Sequence, residues 1–500
     1  MQILFESSDE SPSLKGLGII PCRISRFDDS DKSVPHMGWN ATEPLSTSHN
    51  PDSSSSSSFS SSPLGSTSIP TSTLPNYYYF VHSYCAKINV NVGAGKCQYP
   101  SQAVMEWANT VTRYGDEMFI SSVRKNAIFG SQFHPEKSGI AGLKLIDEWL
   151  KNQLVPSNNN NNNPLYLVTP KHTLTKRIIA CMDVRANDHG DLVVTKGDQY
   201  DVREKSTTSS IKATIAGSVR NLGKPVSLAS KYYTEGADEI CFLNITSFRH
   251  SPLLDQPMLA IVQATSKEIF VPLTIGGGIK DTIDPDGTTH SALEIASAYF
   301  RAGADKVSIG SEAVYAVENY LKTGEKGQGA IETIAHAYGK QAVVVSIDPK
   351  RTYVDPKTYH GPYQHELVYG KPDGPEKEQG QAWWYQCTVS GGREYRPLSV
   401  LQLAKGVEEL GAGEILVNSI DRDGAGLGFD LDLINLVKKN VKIPVVASSG
   451  AGCAKHFVDV FQETEAEAAL AAGIFHRKEV KIEEVKNALK SAGMNVRQVA

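Results

Sequence analysis

Arg177-Ile178-Ile179-Ala180-Cys181-Met182-Asp183 and its distant counterpart Val343-Val344-Val345-Ser346-Ile347-Asp348 decide how this chain is read. Each is an apolar run that stops at an aspartate and is followed by a basic residue, Arg185 in one case and Lys350-Arg351 in the other. An unbroken apolar run of this length suits a strand covered on both faces, as in a parallel sheet. A carboxylate at the carboxyl end of such a strand lies where α/β barrels carry their chemistry. One such aspartate alone is as readily a helix cap. Its repetition favours a site.

The repetition extends past the aspartates. Gly236-Ala237-Asp238-Glu239-Ile240 returns as Gly411-Ala412-Gly413-Glu414-Ile415. Val271–Gly278, ending in three glycines, returns as Ile443–Gly450, and Gly303–Gly310 returns more faintly as Ala466–Gly473. Helix-like stretches such as Ser291–Arg301, Ile331–Ala337, Leu431–Lys438 and Val480–Lys490 lie between. A duplicated unit of four strands alternating with helices predicts an α/β fold, a (β/α)8 barrel with two-fold half-barrel repeat over 174–500. Each half then supplies one carboxylate and one glycine-rich phosphate cradle.

The 500 residues leave room for further domains, and residues 1–155 are expected to form one. Within it, 41–75 is dominated by Ser, Thr and Pro and reads as a disordered insertion. Tyr77–Tyr84 reads as a strand and Gly142–Leu150 as an amphipathic helix, and the Asn-rich stretch 156–173 reads as a linker. A net charge of −5 does not point to nucleic acid, and no run is apolar and long enough to span a membrane. Seven cysteines without paired spacing suit a reducing compartment and argue against a metal site. A cytoplasmic location is expected, with a plastid one left open. No cofactor is called for.

Gln132-Phe133-His134-Pro135-Glu136 resembles the His-Pro-Glu element of class I glutamine amidotransferases. With Val34–Asn40 and Tyr79–Tyr84 in order, it resembles the glutaminase half of imidazole glycerol phosphate synthase. The resemblance implies that His134 and Glu136 are two members of a Cys-His-Glu triad. No cysteine here has the Gly-x-Cys-x-Gly setting that a nucleophile turn needs. Met1–Ser8 resembles the segment just after that nucleophile, so the domain reads as truncated at its amino terminus and no glutaminase activity is expected.

The region 174–497 resembles the cyclase half of the same family, above all its fused fungal and plant form. Lys196–Glu204, Val219–Pro225 and Ser419–Gly424 carry the likeness. It implies a lyase of histidine biosynthesis with small-molecule substrates. Ammonia, from glutamine in the intact family, and phosphoribulosyl-formimino aminoimidazole carboxamide ribonucleotide would give imidazole glycerol phosphate and aminoimidazole carboxamide ribonucleotide. Asp183 and Asp348 are then the acid/base pair, since ring closure and C–N cleavage both move protons. Backbone N–H groups cradle two phosphates. One cradle is Gly277, Gly278, Gly310 and Ser311; the other is Gly424, Ser449, Gly450, Gly452 and Gly473. Lys196 closes over a phosphate, while Asn244, Asn418 and Asp423 hold the polar middle of the substrate. Arg177, Glu239, Lys306 and Glu414 open strands at the far end and imply a salt-bridged ammonia gate facing a docked glutaminase. The sister isomerase of the pathway and a non-catalytic phosphate-binding barrel are the competing readings. The first lacks the Lys196–Glu204 and Arg220–Pro225 segments; the second does not need both aspartates. The stretch 352–382 reads as a long polar loop.

Overall fold

The computed structural model describes residues 1–45, 76–91, 96–98, 101–151, 173–186, 192–195, 224–245, 256–372, 376 and 378–497. Lys196, most of the Ser-rich insertion and, but for Thr173, the stretch read as a linker lie outside these. Two compact units are present, Met1–Thr175 and Lys176–Ala500.

In the second unit eight parallel strands close on themselves: β1 (Arg177–Ala186), β2 (Glu239–Asn244), β3 (Leu273–Gly276), β4 (Lys306–Ile309), β5 (Val343–Ile347), β6 (Glu414–Asn418), β7 (Val445–Ser448) and β8 (Ala468–Ala471). Each pairs with its neighbour in sequence order, and β8 pairs with β1, Ile179 opposite Leu470. Helices such as Ala292–Ala302, Val400–Leu410 and Leu431–Lys438 cover the outside. Their starts are specified locally. Ser291 and Ser399 form capping boxes with Glu294 and Gln402, and Asp430 caps through Leu433 N–H. Gly411 ends a helix with φ +111, a left-handed turn that glycine adopts without a Cβ penalty.

The register aligns inward positions into layers. Ile179, Cys181, Cys241, Val344, Leu416, Val446, Ala468 and Leu470 form one buried cluster. It separates a charged layer at the amino ends from a polar mouth at the carboxyl ends. Strands buried on both faces explain why the sequence runs are continuously apolar.

Two sequence expectations need correction. β1 does not stop at Asp183. It continues to Ala186 and turns back as Leu192–Thr195, with Asp183 opposite Thr195. Nor is 352–382 simply a polar loop. Pro349–Val354, Val368–Tyr369, Ala382–Val389 and Glu394–Ser399 form a small antiparallel sheet. Buried Trp383, Trp384 and Tyr385 give it an apolar anchor that the polar composition around it conceals. Both aspartates therefore head antiparallel excursions, a further sign of duplication.

The first unit is a mixed α/β body. Phe5–Ser8 runs parallel to Ile20–Arg26, and His36–Ala41 pairs antiparallel with Tyr77–His82. Phe27, Tyr78, Phe80, Tyr114, Phe119 and Phe133 pack in one aromatic cluster.

Candidate active site

Asp183 and Asp348 stand on β1 and at the end of β5, four strands apart around a ring of eight, and line one cavity of about 460 Å3. That volume lies within the range of small-ligand sites. Asn418 at the end of β6 donates Nδ2–H to Asp348 Oδ1 at 3.0 Å and accepts from Ser448 Oγ at 3.2 Å. It also accepts from Ser449, whose Oγ lies 3.2 Å from Asp423 Oδ1. Burial raises the Asp348 pKa above the usual carboxylate value; the Asn418 bond opposes the rise and the nearby Asp423 adds to it. A carboxyl that holds its proton more tightly than usual suits proton transfer near neutral pH.

Gly424, Ser449, Gly450 and Gly473 also line the cavity, together with Ser448, Gly391, Gly392, Arg393, His476 and Arg477, which sequence reasoning did not single out. Gly450 has φ +95, and a Cβ there would lie 2.2 Å from the Gly428 carbonyl oxygen. Gly452 meets Gly426 O in the same way. The 424–428 loop crosses these glycines backbone to backbone, so close packing itself requires them. Gly277 (φ +98) and Gly278 (φ +72) follow β3, and Gly310 and Ser311 start the helix Ser311–Thr323 after β4. Adjacent strands thus bring these four together, Gly276 opposite Ser308. These four and Gly452 are not among the cavity-lining residues.

Asn244 is not among the cavity-lining residues. The pairing of Asp183 with Leu243 puts Leu243 and Ile245 on the cavity side, while Asn244 alternates to the other face and is 3% exposed. Lys196 lies outside the described residues.

At the opposite end, Arg177, Glu239, Lys306 and Glu414 form a closed ring, each at most 2% exposed. Arg177 Nη1 reaches Glu239 at 3.1 Å, and Lys306 Nζ reaches Glu239 at 2.7 Å and Glu414 at 2.6 Å. Arg177 also pairs with Glu414. Two cations and two anions cancel, so no buried charge is left unpaired. Burial works to raise the Glu414 pKa, yet Arg177 and Lys306 outweigh it and hold it below the usual value.

In the first unit His134 Nδ1 lies 2.9 Å from Glu136 Oε1. Burial works against the ionised Glu136, but the His134 bond prevails and lowers its pKa. Among the described residues no thiol is bonded to His134.

A closed, duplicated barrel with paired carboxylates at its mouth defines a (β/α)8-barrel enzyme. The histidine biosynthesis protein family profile matches residues 177–481. Over 503 aligned residues the chain is 50% identical to imidazole glycerol phosphate synthase hisHF of Emericella nidulans, covering 100% of this chain and 84% of that one. It is 49% identical to the chloroplastic hisHF enzyme of Arabidopsis thaliana, over 99% of this chain and 76% of that one. Subunit HisF of the synthase from Methanopyrus kandleri is 40% identical over 65% of this chain and 99% of its own. The chain belongs to the imidazole glycerol phosphate synthase family of histidine biosynthesis.

Proposed function

We propose that the barrel joins ammonia to phosphoribulosyl-formimino aminoimidazole carboxamide ribonucleotide. The products are imidazole glycerol phosphate and aminoimidazole carboxamide ribonucleotide. The observation that carries this reading is that Asp183 and Asp348, from opposite sides of the barrel, share one cavity with Asn418, Asp423 and, Gly452 apart, the second glycine-rich cradle. One carboxyl group donates a proton to the departing nitrogen while the other accepts one during ring closure. Asn418 and Asp423 hold the polar middle of the substrate. Gly424, Ser449, Gly450 and Gly473 take one terminal phosphate; Gly277, Gly278, Gly310 and Ser311 take the other. The ring of Arg177, Glu239, Lys306 and Glu414 serves as the entry gate, and neutral ammonia crosses the apolar layer above it. In the first unit His134 and Glu136 are the remnant of a glutaminase triad, a base and its orienting carboxylate, and the nitrogen for the barrel is taken as free ammonia. We assign the enzyme to the cytoplasm, since Cys22, Cys85, Cys181, Cys241, Cys387 and Cys453 are free, as a reducing compartment keeps them. Among the described residues no helix is long and apolar enough to cross a membrane.

The test is turnover with ammonium by Asp183→Asn and Asp348→Asn. Each is expected to lose about 10²- to 10⁴-fold in kcat. Full turnover in either would remove that residue from the chemistry.

A further inference from the structure

Arg351 lies three residues beyond Asp348, on the excursion strand Pro349–Val354, and is 7% exposed. Its backbone N–H donates to Asp421 Oδ2 at 2.8 Å. Its side chain reaches Asp430 Oδ2 through Nη2 at 2.8 Å and Nε at 3.2 Å. Asp421 and Asp430 bracket the loop that carries Asp423 and Gly424. One residue therefore ties down both ends of that loop. The Asp430 end is fixed further. Tyr385 donates its hydroxyl to Oδ1 at 2.8 Å, and Asp430 caps the helix Leu431–Lys438. Gly428 N–H donates to Gly450 O at 2.8 Å, which joins the loop to the Ser449–Gly450 turn.

The remaining arm of the guanidinium faces the excursion. Nη1 meets Glu378 Oε1 at 2.8 Å, and the group lies 4.3 Å over the Trp383 ring. Glu378 also lies 3.7 Å from Arg422, inside the bracketed loop. A planar fork can serve two carboxylates in different directions; a lysine ammonium on its flexible stem does not reproduce that geometry.

We propose that Arg351 is a positioning residue. Gripped by Asp430 and Glu378, it holds the 421–430 loop where Gly424 meets a terminal phosphate and Asp423 the polar middle of the substrate. Resting on the function proposed above, this makes the small antiparallel sheet part of the binding apparatus rather than a passive insertion.

The test uses the full chain, with Arg351→Lys and Glu378→Gln as variants and Asp348→Asn as control. kcat and KM for the bis-phosphorylated substrate are measured with ammonium, alongside thermal unfolding. Arg351→Lys keeps the charge but not the fork. It is expected to raise KM about tenfold while kcat stays within about threefold and the protein remains folded. Glu378→Gln is expected to raise KM about threefold. A lowered Tm with KM unchanged in Arg351→Lys would overturn the proposal, because an ion pair that only stabilises the fold produces that result. If Arg351→Lys does not fold, Glu378→Gln decides, and an unchanged KM there overturns it. A parent chain without turnover refutes the function instead. The clamp is then read from affinity for inorganic phosphate, which Arg351→Lys should weaken and which, if equal, overturns it.

Discussion

Asn418 Nδ2 donates to Asp348 Oδ1 at 3.0 Å, across neighbouring strands β6 and β5. This bond opposes the burial that raises the Asp348 pKa. Asn418→Ala removes it, so the Asp348 pKa should climb further. Whether Asp348 gives or takes the proton, the limb of the pH–rate profile that it sets moves to higher pH. A pH–kcat/KM profile of the variant checks this; an unmoved limb would separate Asp348 from the titration.

The charged ring at the far end makes a stability prediction. Lys306→Met leaves Glu239 and Glu414, each at most 2% exposed, short of a cation. Breaking a buried pair in this way costs about 3–5 kcal/mol. Chemical denaturation is the measurement. Converting the pair together, as Arg177→Met with Glu414→Gln, should cost less than the sum of the two single changes.

Glycine substitutions separate fold from ligand binding. A Cβ on Gly450 would strike the Gly428 carbonyl oxygen, whereas a Cβ on Gly310 meets nothing within 4 Å. Gly450→Ala is therefore expected to lower the unfolding temperature. Gly310→Ala should leave it within a few degrees and act on KM alone, by about tenfold, if a phosphate approaches that turn. An unchanged KM in Gly310→Ala would remove that glycine from the cradle.

The first unit carries an acid-sensitive histidine in a buried hydrogen-bonded chain. His82 Nδ1 faces the Tyr84 carbonyl at 2.9 Å, His82 Nε2 faces His36 Nδ1 at 3.0 Å, and Asn40 Nδ2 lies 3.2 Å from His36 Nε2. Burial lowers the His82 pKa to about 3. The folded state thus binds fewer protons than the unfolded one, whose histidine titrates near 6.5. Its contribution is complete above about pH 6.5 and is lost as pH falls towards about 3. Unfolding followed against pH should show this loss for the parent and a flatter curve over that window for His82→Gln. Equal slopes would contradict the assignment.

The barrel was legible because its two halves share a pattern: apolar run, aspartate, glycine-rich turn. Asp183, Asp348 and the four residues of the charged ring follow from strand ends alone. Facing was not legible. Strands covered on both sides have no polar alternation, so nothing in Glu239–Asn244 marks Leu243 as inward and Asn244 as outward; the pairing with β1 decides it. Arg393 was missed because a long excursion carries it back to the mouth. Arg351 was visible as a basic residue, but its two carboxylate partners are distant in sequence and joined only by the fold.

The most direct test of the central claim is turnover of phosphoribulosyl-formimino aminoimidazole carboxamide ribonucleotide by the purified chain, with ammonium as nitrogen source. Equal amounts of imidazole glycerol phosphate and aminoimidazole carboxamide ribonucleotide are expected, with the rate lost in Asp348→Asn. A folded barrel that forms neither product would contradict the assignment.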